Sequence, residues 1–196
     1  MGIKHYKIIE SPYTNKFDQM TKKELKEFYD WYVCIIPSRI EILSKTVKAS
    51  KGFQKWKADF SPQSLIKLEE WIDKNLDKSQ QTLDWILSIS PNSSHWFNEE
   101  EDEKWEKTNE TVSLAIDCGI YFGEVMLFNN LTLKWIHGTN LSKRDFYYGQ
   151  PLISGFGKID LAPFNLISLL FCKFIKGTNK KDALINLYDV WVSEIE

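Results

Sequence analysis

Apolar residues recur at helical spacing from Thr111 to Phe128. Val112, Ala115, Ile116, Gly119, Phe122, Gly123 and Met126 form one row, and Leu114, Cys118, Tyr121, Val125 and Phe128 form a second. The two rows leave only a narrow polar strip of Ser113, Asp117 and Glu124, the pattern of a helix enclosed by its own domain. Gly119 and Gly123 lie one turn apart on it, and each costs about 1 kcal/mol of helix propensity relative to Ala. Keeping both predicts that another backbone packs closely there. The G-x-x-x-G spacing also occurs on membrane dimer faces, but Asp117, Glu124 and Lys134 argue against a span.

Past Asn129-Asn130, which suits a turn, Leu131, Leu133 and Trp135 alternate with Thr132, Lys134 and Ile136, predicting a half-buried strand. A second strand around Tyr147 to Ser154 is placed to return beside it, with Pro151 marking an edge or an irregular start. Earlier in the chain, Thr21-x-x-Glu24 is a capping box and Met20 with Leu25 has the spacing of a hydrophobic staple. The helix they start, with Leu25, Phe28, Tyr32 and Ile35 on its buried face, runs to about Ser50, and Pro37 is expected to kink or divide it. Ser61, Pro62 and the Phe60/Leu65 pair start another helix that ends near Leu76. After the Gly155/Gly157 bend, two more helices are expected, an almost wholly apolar one from Pro163 to Ile175, with Gly177 suited to its C-terminal cap, and an amphipathic one from Lys180 to Ile195. The elements predict an α+β fold, mostly helical, with a central buried helix and a small antiparallel sheet in one domain spanning residues 1–196. Residues 77–110 read as its loosely structured, acidic segment.

Composition changes this picture little. With 196 residues, 43% hydrophobic and 14% aromatic, the chain can bury a substantial core. A net charge of −2 gives no general pull toward nucleic acid or anionic lipid. Local charge is less even: residues 1–60 carry twelve Lys/Arg against seven Asp/Glu, and Glu99 to Glu110 seven acidic residues against two basic ones. Cys34, Cys118 and Cys172 are far apart, odd in number and set in apolar helical patterns, so they read as buried reduced thiols of a cytosolic protein. MGIKHYKIIE has no long apolar core, so no signal peptide is expected, and a cytoplasmic location follows as an expectation.

Candidate chemistry is sparse. Asp117 and Glu124 share one strip about 10 Å apart along the helix axis, and with Trp135 and His137 at the following strand they outline a possible pocket for acid-base or ligand-binding work. The alternative is that these carboxylates pair with Lys or Arg, or cap backbone groups, at the edge of the core. His5 and His95 have no partner by spacing, and no H-E-x-x-H, G-x-S-x-G or phosphate-loop motif is present. Neither a catalytic set, a metal site nor a cofactor is therefore expected. The acidic run is flanked by aromatics, so Trp96, Phe97, Glu99, Glu100, Glu101, Asp102, Glu103 and Trp105 form the candidate surface for a basic protein partner. Charge would steer encounter and the rings would supply contact area.

The succession G-x-Y-x-G-E (Gly119, Tyr121, Gly123, Glu124), a strand bearing Trp135, and G-Q-P-L (Gly149 to Leu152) resembles a pattern in small bacterial proteins similar to the immunity proteins of contact-dependent or polymorphic toxin systems. The resemblance covers about residues 111–153. It implies an α+β fold and a cytosolic protein partner, with a basic toxin domain as the candidate, and it transfers no catalytic residues. Glu124 would then accept hydrogen bonds from the neighbouring strand or from Tyr147 or Tyr148. The expected function is a non-enzymatic protein-binding module, with an enzyme or small-ligand domain using the Asp117/Glu124/His137 pocket as the alternative.

Overall fold

The computed structural model describes residues 5–13, 15–88 and 103–195, with backbone alone at 85, 87–88 and 103–108. Six α-helices and one two-stranded antiparallel sheet make up the described chain: α1 (Lys22–Ala49), α2 (Pro62–Asn75), α3 (Gln80–Ser88), α4 (Glu103–Asn129), β1 (Lys134–His137), β2 (Pro151–Ser154), α5 (Pro163–Ile175) and α6 (Ala183–Val192). This is the mostly helical α+β architecture that the hydrophobic pattern predicts.

The middle of the molecule is α4. From Val112 to Met126 nearly every side chain is buried, and the helix packs against α1, α3, α5 and α6. Asn109–Asn129 is long and apolar enough to cross a membrane by length and composition, but 83% of its most apolar window is buried inside this protein. Its two glycines explain how the neighbours come so close. A Cβ on Gly119 would sit 3.1 Å from the backbone nitrogen of Phe164 at the start of α5, the expected backbone contact. On Gly123 the neighbour is instead a ring, Trp135 Cζ2 at 2.7 Å.

The N-terminus of α1 forms as its sequence predicts. Thr21 Oγ1 accepts from the Glu24 amide at 3.2 Å, and Glu24 accepts from the Thr21 amide at 2.7 Å. Pro37 does not divide this helix, which runs unbroken through it. Pro37 is exposed, and so is Val33 four residues before it, so the carbonyl deprived of its usual donor lies on the solvent side. At α2, Ser61 occupies the capping position but its side chain turns back to Asp59 Oδ1 at 2.6 Å. The hydroxyl that becomes structural is Ser64, which meets the Tyr121 hydroxyl of α4 at 2.6 Å.

The described residues of the 77–110 segment, 77–88 and 103–110, carry helix where looser chain was expected. Ser79 caps α3, accepting from the Thr82 amide at 3.2 Å, while Asp77 accepts from the hydroxyls of Ser79 at 3.0 Å and Thr82 at 2.7 Å. Leu83 and Ile86, one turn apart, then enter the core. The start signal is polar throughout, so it is hidden in a polar stretch. The far end of the segment, from Glu103, already belongs to α4.

Lys134–His137 pairs with Pro151–Ser154 in register Lys134↔Ser154 to His137↔Pro151. The first strand is shorter and begins later than the alternation suggests. Gly149, just before β2, has φ +77, and a Cβ there would meet the Phe17 side chain at 2.7 Å, so the G of G-Q-P-L fills a tight left-handed turn. The last helix is also shorter than its apolar stripe. Asp182 is left-handed at φ 60, and the buried Glu69 of α2 accepts from the Leu184 amide at 2.7 Å, capping α6 from across the helix interface.

Candidate binding groove

Asp117 is wholly buried on the polar strip of α4, and three donors close on it. Arg39 of α1 reaches it bidentately, Nε to Oδ1 at 2.7 Å and Nη2 to Oδ2 at 2.8 Å, and the Tyr6 hydroxyl donates to Oδ2 at 2.5 Å. Arg39 is itself only 4% exposed and also donates to the Lys7 carbonyl at 2.8 Å. One turn earlier, Ser113 Oγ accepts from the Ile9 amide at 3.0 Å. The polar strip is therefore a latch that holds residues 6–9 and α1 against the central helix. Burial pushes the Asp117 carboxyl up to about 6, and only partly do Arg39 and Tyr6 oppose it. Burial also raises Tyr6 well above its ordinary value, with the neighbouring Asp117 adding to the rise.

Glu124, Trp135 and His137, the other residues of the expected pocket, have contacts of their own. Glu124 accepts from Trp135 Nε1 at 2.7 Å, which matches the expected bond from the neighbouring strand but uses the Trp side chain. Trp135 lies over Gly123 and edge-on to Tyr32, with ring centroids 5.7 Å apart. His137 is half-buried beside the Tyr29 ring at 5.3 Å, and its Nδ1 shares a hydrogen bond with Thr139 at 2.7 Å. Among the described residues no three His, Cys, Asp or Glu side chains converge as a metal site would require.

Trp96, Phe97, Glu99, Glu100, Glu101 and Asp102 lie outside the described residues, as does His95, while Glu103 and Trp105 fall in the first turns of α4, where only backbone is described. His5 is exposed, its Nδ1 3.9 Å from Glu110. Cys118 and Cys172 are buried as expected, and burial raises both thiols above their ordinary value. Cys34 is exposed, a correction with a simple cause: it sits beside Val33 on the solvent side of α1, away from the Phe28, Tyr32 and Ile36 stripe.

A cavity of about 480 Å³ opens elsewhere, along the outer side of α5. Its walls come from five parts of the chain: Ile86 of α3, Phe146 and Tyr147, the 159–162 segment, α5 itself, and Trp191 of α6. Three of its residues are large apolar side chains left in solvent, Phe146 at 54%, Ile159 at 63% and Leu169 at 62% exposure. The α5 pattern explains the arrangement. Phe164, Ile167, Phe171 and Phe174 face the core, so in a helix apolar almost all round, Leu169 is forced outward. Opposite it, the Ile153–Leu161 bridge pins the segment that carries Ile159 and Asp160.

A few polar groups border this apolar hollow. Gln150, buried, donates from Nε2 to the Phe146 carbonyl at 2.9 Å, and its Oε1 accepts from Asn165 Nδ2 at 3.0 Å. Asp160 is half-buried, and burial alone raises its carboxyl. The Ser168 hydroxyl is buried with no hydrogen-bond partner among the described residues. A cavity in the size range of ligand sites, apolar in its walls with a small number of polar groups, is suited to holding an apolar body and orienting one polar end.

No family model, curated protein or solved structure matches this chain. The groove was invisible to periodicity because its residues come from five separated stretches. The one available signal was the excess of apolar residues on α5 beyond what a single buried face needs.

Proposed function

We propose that this protein is a non-enzymatic binding module that acts by contacting another protein, with the groove along α5 as part of its contact surface. The observation that carries the reading is the rim of exposed Phe146, Ile159 and Leu169 around a concave apolar hollow. Apolar side chains gathered about a depression, rather than scattered singly, are the usual mark of a docking surface. A cytosolic immunity protein that neutralises a basic toxin domain by direct binding is the form of this reading that the Gly119–Glu124, Trp135 and Gly149–Leu152 motif implies. The motif residues themselves do structural work: Gly119 admits α5, Tyr121 binds Ser64, and Gly123 and Glu124 seat Trp135. The acidic-aromatic stretch from Trp96 to Trp105 remains a second contact surface within the same proposal.

The alternative, an enzyme or ligand site built on Asp117, Glu124 and His137, has less support, because Asp117 is sealed by Arg39 and Tyr6. The test is capture of partners from the native host with wild type, with Phe146→Ser/Leu169→Lys, and with Glu99→Lys/Glu100→Lys/Glu101→Lys. A stoichiometric partner held by wild type and lost by the first variant, with its melting temperature unchanged, is the expected result. Loss only in the acidic variant would move the interface to residues 96–105, and the absence of any stoichiometric partner would refute the binding-module reading.

A further inference from the structure

The groove's polar groups have a consistent sense. A carbonyl can only accept, so Gln150 must present Nε2 to the Phe146 carbonyl and therefore Oε1 to Asn165. Asn165 must then donate with Nδ2, which leaves its Oδ1, an acceptor, without a partner among the described residues. Asp160 likewise has no hydrogen bond or ion pair among them. Ionised, it can only accept. The same cavity is lined by Phe146, Tyr147, Phe164 and Trp191, and aromatic faces favour a cation. Among the described residues no lysine or arginine lines the cavity.

We infer that the groove receives a lysine or arginine side chain presented on an apolar stretch of the protein partner, its aliphatic stem lying in the hollow and its cationic head drawn to the acceptors of Asp160 and Asn165. The inference rests on the binding-module reading and gives it a chemistry. The volume leaves room for the cationic side chain and apolar neighbours together. Asp160 is half-buried with no cation beside it among the described residues, so a cationic occupant would supply its counter-charge. This is the charge sense expected of a basic partner.

The occupant's chemistry can be probed without the partner. Titration of the isotopically labelled protein with n-octylammonium, n-octanol and n-octanoate, followed by NMR at the Asn165 side-chain amide and the Trp191 indole, should give saturable shifts for all three. Octylammonium should bind on the order of tenfold tighter than octanol (about 1.4 kcal/mol) and octanoate weakest. Asp160→Asn should erase that preference without altering the fold, because no bond among the described residues depends on this carboxylate, and raising salt from about 0.01 to about 1 M should shrink it in wild type. Equal affinity for octanol and octylammonium would overturn the cationic occupant while leaving an apolar docking groove. No saturable shift with any of the three would remove the groove itself from the interface.

Discussion

Asp117 and Arg39 offer the most direct test of whether the polar strip of α4 holds the fold together. Replacing Asp117 by Asn leaves the Arg39 guanidinium, only 4% exposed, without its counter-charge in a site almost closed to solvent. Three hydrogen bonds to a charged acceptor are lost or weakened, those from Arg39 Nε, Arg39 Nη2 and Tyr6. Removing one member of a buried ion pair costs about 3–5 kcal/mol; here Asn turns an amide donor toward the Arg39 and Tyr6 donors, a clash that a protonated carboxyl, still holding two acceptor oxygens, does not create. Replacing Arg39 by Met leaves the carboxylate instead, which can escape by taking up a proton, so its cost should lie at the lower end, about 3 kcal/mol. The double variant Arg39→Met/Asp117→Asn strands neither charge and should lose only about 1–3 kcal/mol, chiefly from the Lys7 carbonyl and the introduced amide nitrogen at position 117 left without partners. The cycle then returns a coupling energy of about 3 kcal/mol or more. Equilibrium urea unfolding followed by Trp fluorescence measures each corner, and a single substitution should lower the melting temperature by roughly 6–20 °C in a chain of this size. Single variants that lose less than about 1 kcal/mol, or a double variant as unstable as the two losses added, would refute the latch. A double variant that folds where the singles do not reports the same coupling.

Two further outcomes are expected. Gly119→Ala gains about 1 kcal/mol of helix propensity but presses a methyl against the Phe164 backbone, so overpacking of about 1–3 kcal/mol should leave it net destabilised. Gly123→Ala meets a ring and should mainly displace Trp135, seen as a changed near-ultraviolet circular dichroism spectrum; unaltered stability and spectrum in both variants would argue against these contacts. The second concerns pH: burial lifts the Asp117 carboxyl to about 6 in the folded chain, against about 3.8 as its ordinary value. The folded state therefore holds a proton that the unfolded state releases between those values. The associated stability is full below about pH 4 and is lost as pH rises through about 6, with a slope of at most about 1.4 kcal/mol per pH unit. A carboxyl carbon resonance of Asp117 titrating near 4 would contradict this, as would the same slope in Asp117→Asn.

The elements whose formation depends on neighbours in the chain were readable from it. The Thr21/Glu24 box, the apolar rows of α4 and the Pro163 start of α5 depend on residues three or four positions apart, so spacing alone identifies them. The helix α3 escaped because its cap, Asp77, Ser79 and Thr82, is polar in an already polar stretch. Cys34 was misplaced because one apolar neighbour, Val33, lies on the wet side of α1.

What the amino-acid order determined by itself, then, was a mostly helical domain with α4 at its centre, since the circumference of a helix is written in its own period. Tertiary structure alone decided the fate of the strip on that helix. Whether Asp117 is a reactive acid or a latch depends on Arg39 and Tyr6, which lie 78 and 111 positions away along the chain. The groove is likewise a product of assembly, because the side chains of α3, α5, α6 and two loops share one cavity only once packing has brought them together. The surface available to a partner is whatever that packing leaves uncovered.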